Sequence, residues 1–324
     1  MITRTDIAAH LEKGIRTGFV IGQKSYSPLR GPFCGVKPSD GAFEVYGDMG
    51  ATPWPQLNAG KQGSGGTDGR TGAQVSGAMS MGRQITILGG EEKNLVVYNQ
   101  DWEVTIGIEH NAINDDRAGD LEDWAKTTAV NYEKHKDYLA FNALNNAAAT
   151  TVLSAGYDKV ALLSPSHVDP GAEYQTAQDN DYALALSMSN LLTVKIAASK
   201  FLDGRGHPLG LNHSLLIHPS DLMYEAAQIL RNAENYETGN RATNPFNGRL
   251  SGLEAPGAYL DSTAWFLVDP TMPQKPLYLQ ERQAPQLTIW DVNDAPGGGV
   301  RFYKWHSRYT IFPGDWRLIV GGNS

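Results

Sequence analysis

The sequence predicts an α+β subunit built around one long helix. Three observations lead to this prediction: helical periodicity from Gly119 to Thr151, a glycine-rich stretch between Gly60 and Gly90 that precedes it, and a tail from Ala264 onward that favours strands. A long helix between a flexible region and a sheet is typical of a spine that organises the rest of the chain.

The long helix is predicted from its start signals and its apolar stripe. Asp115, Asp116 and Asp120 can cap free backbone N–H groups, and no proline or glycine interrupts the run before Gly156. One face carries a mostly apolar set at three- and four-residue steps: Leu121, Trp124, Ala125, Thr128, Tyr132, His135, Leu139 and Ala143. Such a helix spans roughly 45 Å, which is more than a compact domain needs.

The residues before the helix predict an arm and a loop. Thr5 to Arg16 predicts a short amphipathic helix, and the proline-punctuated stretch Phe19 to Pro38 predicts an arm that lies on a neighbour. The stretch from Gly60 to Gly90 has too few large apolar side chains to order itself, so we expect a long flexible hairpin or loop. A phosphate-binding loop is excluded by spacing, because Arg70 stands where its lysine belongs.

The remaining elements are predicted in chain order. Leu95 to Tyr98 and Trp102 to Ile108 favour strands, and Asp179 with Asn180 is placed to cap a helix that Gly204 ends. A strand and a helix then follow around Pro219, which gives a compact α/β subdomain, and the residues from 240 to 257 form loops. The tail predicts five strands and one hairpin turn: Trp265–Val268, Leu277–Leu279, Leu287–Trp290, Val300–Trp305, Tyr309–Phe312, with the turn at Ala295–Gly299.

Composition narrows the class of protein. The chain has 324 residues, a net charge of -8 and one cysteine, Cys34, so an intrachain disulfide is impossible. The acidic balance argues against a surface that coats nucleic acid. No apolar run approaches the ~20 residues of a membrane span, and Met1 to His10 do not resemble a signal peptide. We therefore expect a soluble, intracellular protein.

No catalytic, cofactor or metal site is predicted. The histidines never form the i, i+4 pair of a metalloprotease, and no Gly-x-Ser-x-Gly elbow occurs. Glu109, Asp115 and Asp116 form the most acidic cluster, but helix capping explains it better than acid–base chemistry or Mg²⁺ binding. Lys61, Arg70 and Arg83 either contact another subunit or are solvated charges.

Three patches carry a resemblance to a known family. They are Val36–Asp40 with the residues up to Lys61, Trp102–Ile108 running into the helix, and Ala264–Asp269 followed by Lys275–Arg282. With the order of the elements, they make the chain resemble the Mu-type major head proteins, which are major capsid proteins of tailed phages with the Hong Kong 97 fold.

The resemblance implies a subunit of an icosahedral shell around double-stranded DNA. It implies an N-terminal arm (1–49), an extended loop or E-loop (50–100), a peripheral domain with the spine helix (101–155), an axial domain (156–263) and closing strands of the peripheral domain (264–324). The arm and the loop would bury their apolar groups only in the shell. We expect a non-enzymatic virion component without cofactors, assembled in the host cytoplasm.

The implied partners are mainly further copies of the chain, in hexamers and pentamers. Portal, scaffold, maturation protease and a decoration protein would also bind, the DNA would be held weakly and non-specifically, and no membrane would be involved. The residues that we predict at subunit contacts are Lys61, Arg70, Arg83, Trp54, Trp102, Leu121, Tyr132 and Leu139.

Two other hypotheses stay open at this stage. One is an encapsulin-like shell of a cellular nanocompartment, which neighbouring genes for a portal or terminase would exclude. The other is a soluble α/β enzyme with an unrecognised site, which a large sedimenting particle would exclude.

Overall fold

The computed structural model describes residues 4–48, 93–109, 118–150, 155–169, 174–235, 242–292 and 299–322. The helices in these ranges are α1 (Arg4–Ser25), α2 (Ala118–Asn145), α3 (Met188–Ala198) and α4 (Met223–Arg231), with 3₁₀ turns at Ser220–Leu222 and Trp316–Leu318. The strands are β1 (Cys34–Pro38), β2 (Phe43–Asp48), β3 (Lys93–Tyr98), β4 (Gln100–Glu109), β5 (Leu215–Pro219), β6 (Ser251–Ala255), β7 (Trp265–Val268), β8 (Leu277–Val292), β9 (Val300–Pro313) and β10 (Ile319–Gly322).

The first sheet has the strand order β1-β8-β9-β4 and packs against the spine helix α2. The pair β1/β8 is parallel, whereas β8/β9 and β9/β4 are antiparallel. Trp305 of β9 lies in the contact: the Tyr132 hydroxyl of α2 donates to its carbonyl at 2.8 Å, and the Phe19 ring of α1 stacks on its indole at 5.9 Å. The four short strands predicted in this part of the tail are in fact one long hairpin, because β8 and β9 pair along nearly their whole length.

The second sheet has the order β10-β7-β5-β6, and its central strands are buried on both faces. It confirms the predicted strands at Ser214–Pro219 and Trp265–Val268. Strands β7 and β10 pair with each other and β7 pairs with β5. Two strands of the tail, β7 and β10, thus lie in the same sheet as β5 and β6.

The spine helix ends earlier than its periodicity predicts. It stops at Asn145 instead of Thr151. The Asn145 side chain forms hydrogen bonds with residues more than 100 positions later in the sequence. It donates to the Tyr259 carbonyl at 3.1 Å and accepts from the Asp261 N–H at 3.0 Å. The Ala147 carbonyl accepts from the Leu163 N–H at 2.9 Å, so tertiary bonds replace the next helical turn. Asp115 and Asp116 lie outside the described residues.

The N-terminal segment, residues 12–38, differs most from the prediction. Helix α1 continues to Ser25, so the expected arm is helical over its first part. Ile15, Phe19 and Phe33 are buried within the same chain, and β1 is a regular strand of the first sheet. The prediction that this segment buries its apolar groups only in a shell is wrong, because the spine helix and the first sheet of the same subunit cover them.

The predicted helix cap at Asp179 and Asn180 is also wrong. Helix α3 begins only at Met188, and the Ser187 side chain caps it by accepting from the Asn190 N–H at 3.1 Å. Gly204 does not end this helix, since α3 stops at Ala198. Asn180 is instead fully buried, and its side-chain amide bonds two separate segments, residues 162–164 and residues 316–319.

Two further observations concern membrane spans and metal sites. In the described ranges, no helix combines the length and apolarity that a membrane crossing requires. Within those same ranges, histidine, cysteine, aspartate and glutamate side chains nowhere gather in a group of three that could hold a metal ion. Cys34 is buried, and burial raises the pKa of its thiol to about 12.

Candidate subunit interface

The strands β2 and β3 form a two-stranded antiparallel ribbon with two different faces. Phe43 pairs with Tyr98 and Val45 with Val96, so these four side chains share one face, which we call the outer face. They are 49%, 63%, 52% and 44% exposed, respectively, although all four are large and apolar or aromatic. Single exposed apolar residues are common on soluble proteins, but a contiguous group of this kind marks an interaction surface.

The inner face of the ribbon rests on the first sheet through an aromatic stack. The Tyr46 ring stacks on Phe312 at 4.6 Å between centroids, and Phe312 stacks on Tyr278 at 5.5 Å. The Lys37 ammonium lies 4.5 Å from the Tyr46 ring centroid and 4.2 Å from that of Tyr278. Burial lowers the pKa of Lys37. Cation–π attraction thus ties β1, β2 and β8 together at the root of the ribbon.

The turn into the ribbon is held by one carboxylate. A Glu44 oxygen accepts from the Gly41 N–H, the Ser39 hydroxyl and the Asp40 N–H, each at 2.9 Å. The bonds from Gly41, Ser39 and Asp40 lower the pKa of Glu44, because they favour its ionised form. Asn99 directly follows β3, and its side-chain amide donates to the Gly41 carbonyl at 2.9 Å. The position of the ribbon is therefore fixed at its base, while its outer face stays open.

A buried charge cluster fixes the N-terminal segment on the spine helix. Asp137, whose side chain is fully inaccessible, accepts from the Arg30 guanidinium at 2.7 Å, the Tyr26 hydroxyl at 2.8 Å and the Leu29 N–H at 2.9 Å. Arg30 also donates to Glu133 at 2.8 Å.

The second cation of this cluster is Lys136, which donates to Glu133 and to Glu281, both at 2.8 Å. Burial raises the pKa of Glu133, but Lys136 and Arg30 outweigh it and leave that pKa below its usual range. Burial and the bond to Asp137 raise the pKa of Tyr26. Each charged side chain of this cluster therefore has an oppositely charged partner within the same chain.

The predicted contact residues fall into three groups. Trp54, Lys61, Arg70 and Arg83 lie outside the described residues. Trp102 and Leu121 are half-buried and pack on the core. Tyr132 and Leu139 are buried in their own chain, so the contact role does not fit them.

Trp102 has intramolecular partners as well. Its indole N–H donates to the Tyr309 carbonyl at 2.9 Å, and its ring lies 4.4 Å from that of His135. Of the residues first considered for contacts, only Trp102 and Leu121 are both described and partly accessible.

The outer face of the ribbon was not among the predicted sites. The signal that could have found it is the alternation in Phe43-Glu44-Val45-Tyr46 on one side of the glycine-rich segment. Neither β1 nor β2 was predicted from the sequence. Only pairing with β3 places Val96 and Tyr98 beside the residues of β2.

A search of curated proteins gives no match. A family model described as "Phage capsid protein" matches residues 102–321.

Solved capsid structures resemble the chain in fold. The procapsid of bacteriophage JBD30 is 18% identical with a TM-score of 0.57, covering 100% of this chain and 76% of that chain. The capsid of cyanophage P-SCSP1u is 9% identical with a TM-score of 0.51, covering 91% and 87%. A virus-like particle from Pyrococcus furiosus is 10% identical with a TM-score of 0.50, covering 96% and 98%.

The family model spans most of the chain, from β4 to β10. The chain therefore belongs to the phage capsid protein family, has the Hong Kong 97-like fold of tailed-phage capsids, and is a shell-forming structural component of a virion.

Proposed function

We propose that this capsid protein is the major head protein of a Mu-type tailed phage or prophage. Copies of the chain would assemble as hexamers and pentamers into an icosahedral shell that encloses double-stranded DNA. Assembly would take place in the host cytoplasm, and the protein would act without catalysis. The Mu-type assignment rests on the patches Val36–Asp40, Trp102–Ile108 and Ala264–Asp269.

The observation that carries the proposal is the outer face of the ribbon. Phe43, Val45, Val96 and Tyr98 are exposed in the single chain, and the two strands lead into and out of residues 49–92. A two-stranded ribbon with an apolar face is only marginally stable by itself in water. A neighbouring subunit that covers this face would remove the apolar area from water, which stabilises the shell.

Several contacts of modest area would be enough for a stable particle. Specific interfaces typically bury about 1,200–2,000 Å² in total. We keep Trp54, Lys61, Arg70 and Arg83, together with Trp102 and Leu121, as proposed contact residues. The division into arm, extended loop, peripheral and axial parts remains part of this proposal.

The further partners would act during assembly. A scaffold, a portal and a maturation protease would bind the subunit before or during shell closure, and a decoration protein could bind the finished shell. The net charge of -8 suits a container that holds its DNA weakly.

The test is electron microscopy of the purified chain with sedimentation alongside. We expect closed shells tens of nanometres across, formed by the chain alone or after co-expression with its scaffold. A chain that stays monomeric with scaffold and portal present would contradict the proposal.

The cargo distinguishes a phage head from the second hypothesis, an encapsulin-like compartment. The similarity in fold to a virus-like particle from Pyrococcus furiosus is the observation that keeps this alternative in view. Particles purified after induction of the prophage should protect double-stranded DNA from nuclease. Shells that enclose a protein and no DNA would support the compartment and reject the phage head.

A further inference from the structure

Helix α3 carries apolar residues on two opposite sides. One side is buried in the core of the same chain and consists of Met188, Leu191, Val194 and Ala198. On the opposite side, Leu192 and Ile196 lie one turn apart and are 41% and 49% exposed. A helix that is apolar all round is normally covered on more than one side. We call the exposed side the α3 face, which is made of Ser189, Leu192, Thr193, Ile196 and Lys200 at the end of the helix.

The hydroxyl groups on and beside the α3 face already bond the backbone of the helix. The Thr193 hydroxyl donates to the Ser189 carbonyl at 3.1 Å, and the Ser199 hydroxyl donates to the Ile196 carbonyl at 2.7 Å. A neighbour that covers the face therefore leaves no hydroxyl donor without an acceptor. Lys200 is the one charged residue of the face, and it makes no salt bridge within the described part of the chain.

An open cleft adjoins the C-terminal end of the α3 face. Its volume is about 180 Å³, and its lining includes Ala197, Lys200, Asp179 and the aromatic residues Tyr182 and Phe201. Aromatic and aliphatic walls favour an apolar ring, whereas a carboxylate can accept a hydrogen bond from a polar group at the end of that ring. The cleft is therefore suited to a tyrosine side chain.

The start of helix α4 presents a surface of the matching kind. Among the large apolar and aromatic side chains of the described residues, Tyr224 is the most exposed, at 69%, and its neighbour Met223 is 55% exposed. Asp221, in the 3₁₀ turn just before α4, is exposed and has no salt bridge to any described residue. Tyrosine is one of the residues that contribute most to binding when they fill a pocket at an interface.

We propose that the α3 face and its cleft receive the start of α4 from a second copy of the chain. Tyr224 of that copy fills the cleft beside Ile196, and Asp221 of that copy pairs with Lys200. The second copy is the occupant that the charges favour, since the α3 face offers a free cation and the start of α4 offers a free anion. This inference rests on the proposed assembly of the chain into a shell.

The spacing of the residues fits an antiparallel crossing of the two helices. Lys200 lies four residues after Ile196, and Tyr224 lies three residues after Asp221, which are distances of roughly 6 Å and 5 Å along a helix axis. The ion pair and the aromatic contact can therefore form at the same time. Further along the crossing, Arg231 comes opposite the uncharged residues 189 and 190, so no like charges meet.

The contact joins two different surfaces of the subunit. Such a heterologous contact closes into a ring when it is repeated with a suitable rotation, whereas a contact between two α3 faces would stop at a dimer. The proposed hexamers and pentamers are rings of the first kind. The α3 face would thus hold neighbours together within one ring of the shell.

The first test is disulfide trapping in assembled shells. The only cysteine of the natural chain, Cys34, is buried, so introduced cysteines can be observed without a competing thiol. The double variant Ile196→Cys, Tyr224→Cys, treated with diamide as the oxidant, should give a ladder of covalent oligomers on a non-reducing gel. A disulfide requires Cα atoms within about 7 Å, so only a close contact between the two positions gives this result.

The single variants are the matched controls for this ladder. Neither Ile196→Cys nor Tyr224→Cys should form covalent oligomers, because each contact needs one residue of each kind. Covalent dimers from Ile196→Cys alone would mean that a second α3 occupies the face and would overturn the proposal. Shells of the double variant that give no ladder would overturn it as well.

A charge exchange tests the same contact without cysteines. Lys200→Glu places a like charge opposite Asp221 and should raise the protein concentration needed for shells by roughly tenfold or more. The added substitution Asp221→Lys should restore assembly, and Lys134→Glu on the exposed side of the spine helix should have no such effect. Unimpaired assembly of Lys200→Glu, or a double variant that does not recover, would overturn the proposal.

The outcomes separate this inference from the proposed function. Shells of normal appearance without the ladder and without the charge effect would reject the α3 contact and leave the proposed head protein intact. A wild-type chain that forms no shells even with scaffold and portal would reject the proposed function and, with it, the contact that rests on it.

Discussion

The N-terminal segment (residues 12–38) and the β2–β3 ribbon both lie in parts of the chain that were expected to cover neighbouring subunits, yet they differ. The N-terminal segment is covered by its own spine helix and first sheet, with Ile15 and Phe19 buried and Arg30 paired with Asp137. The ribbon is attached only through its inner face and leaves four apolar side chains exposed.

The difference shows that an apolar, turn-rich segment is not by itself an assembly element. A segment is available for assembly only if its own chain leaves one of its faces uncovered. The N-terminal segment packs on the spine helix of its own subunit through glycines of α1 and through the buried charge cluster. The ribbon packs on an aromatic stack through its inner face, whereas none of the described residues covers its outer face.

The largest expected loss of folding stability comes from a substitution in the buried charge cluster. Asp137→Asn removes the charge that compensates Arg30 in a site without solvent, and breaking a buried pair in this way typically costs about 3–5 kcal/mol. Urea unfolding of the purified subunit measures the loss of stability. The control is Asp123→Asn on the same helix, whose side chain is 78% exposed and binds Lys126, and which should cost less than about 1 kcal/mol. Equal losses of stability in the two variants would contradict the conclusion that a buried ion pair holds the N-terminal segment on the spine helix.

The second effect concerns the contact between α1 and the spine helix. A Cβ atom on Gly22 would clash with the Lys126 carbonyl oxygen, so Gly22→Ala forces the two helices apart and should cost about 1–3 kcal/mol of stability.

Gly14→Ala is the matched control on the same helix. Its Cβ would meet nothing closer than a Glu122 side-chain oxygen at 3.9 Å, so helix propensity alone should stabilise it by roughly 0.5–1 kcal/mol. Thermal unfolding of both variants gives the comparison. Equal behaviour would mean that α1 does not pack closely on the spine helix.

A smaller effect is expected where the ribbon meets the sheet. Lys37→Gln removes the cation from the rings of Tyr46 and Tyr278, which should weaken the attachment by about 0.5–2 kcal/mol. Faster hydrogen exchange in residues 43–46 would show the loosened ribbon. Lys134→Gln, an exposed lysine of the spine helix, should leave that exchange unchanged. Unaltered exchange in Lys37→Gln would mean that the cation does not hold the ribbon.

The parts of the fold that were predicted correctly carry their own local signal. Trp265–Val268 and Leu215–Pro219 are short apolar runs bounded by turn residues, and α2 has long helical periodicity. Strands β6 and β10 were missed because Ser251–Ala255 and Ile319–Gly322 have no alternation of their own. They are strands because β6 pairs with β5 and β10 pairs with β7, and each partner is distant in the sequence.

The candidate interface depends even more on distant contacts. The aromatic stack combines Lys37, Tyr46, Tyr278 and Phe312 from four strands. No window of sequence contains both halves of the ribbon, since 44 residues (49–92) separate β2 from β3. Tyr132 and Leu139 belong to the predicted helical stripe, and that stripe faces the core of the same subunit.

The central claim is that the outer face of the ribbon is an assembly surface. The most direct measurement compares sedimentation of the double variant Val45→Lys, Val96→Glu with that of Thr127→Lys, Asn131→Glu, which places the same charges on exposed polar positions of the spine helix. Opposite charges at the paired positions 45 and 96 should preserve the ribbon, so urea unfolding of both variants should stay within about 1 kcal/mol of wild type. The account predicts that only the ribbon variant fails to form shells, and normal shells from a stably folded ribbon variant would contradict it.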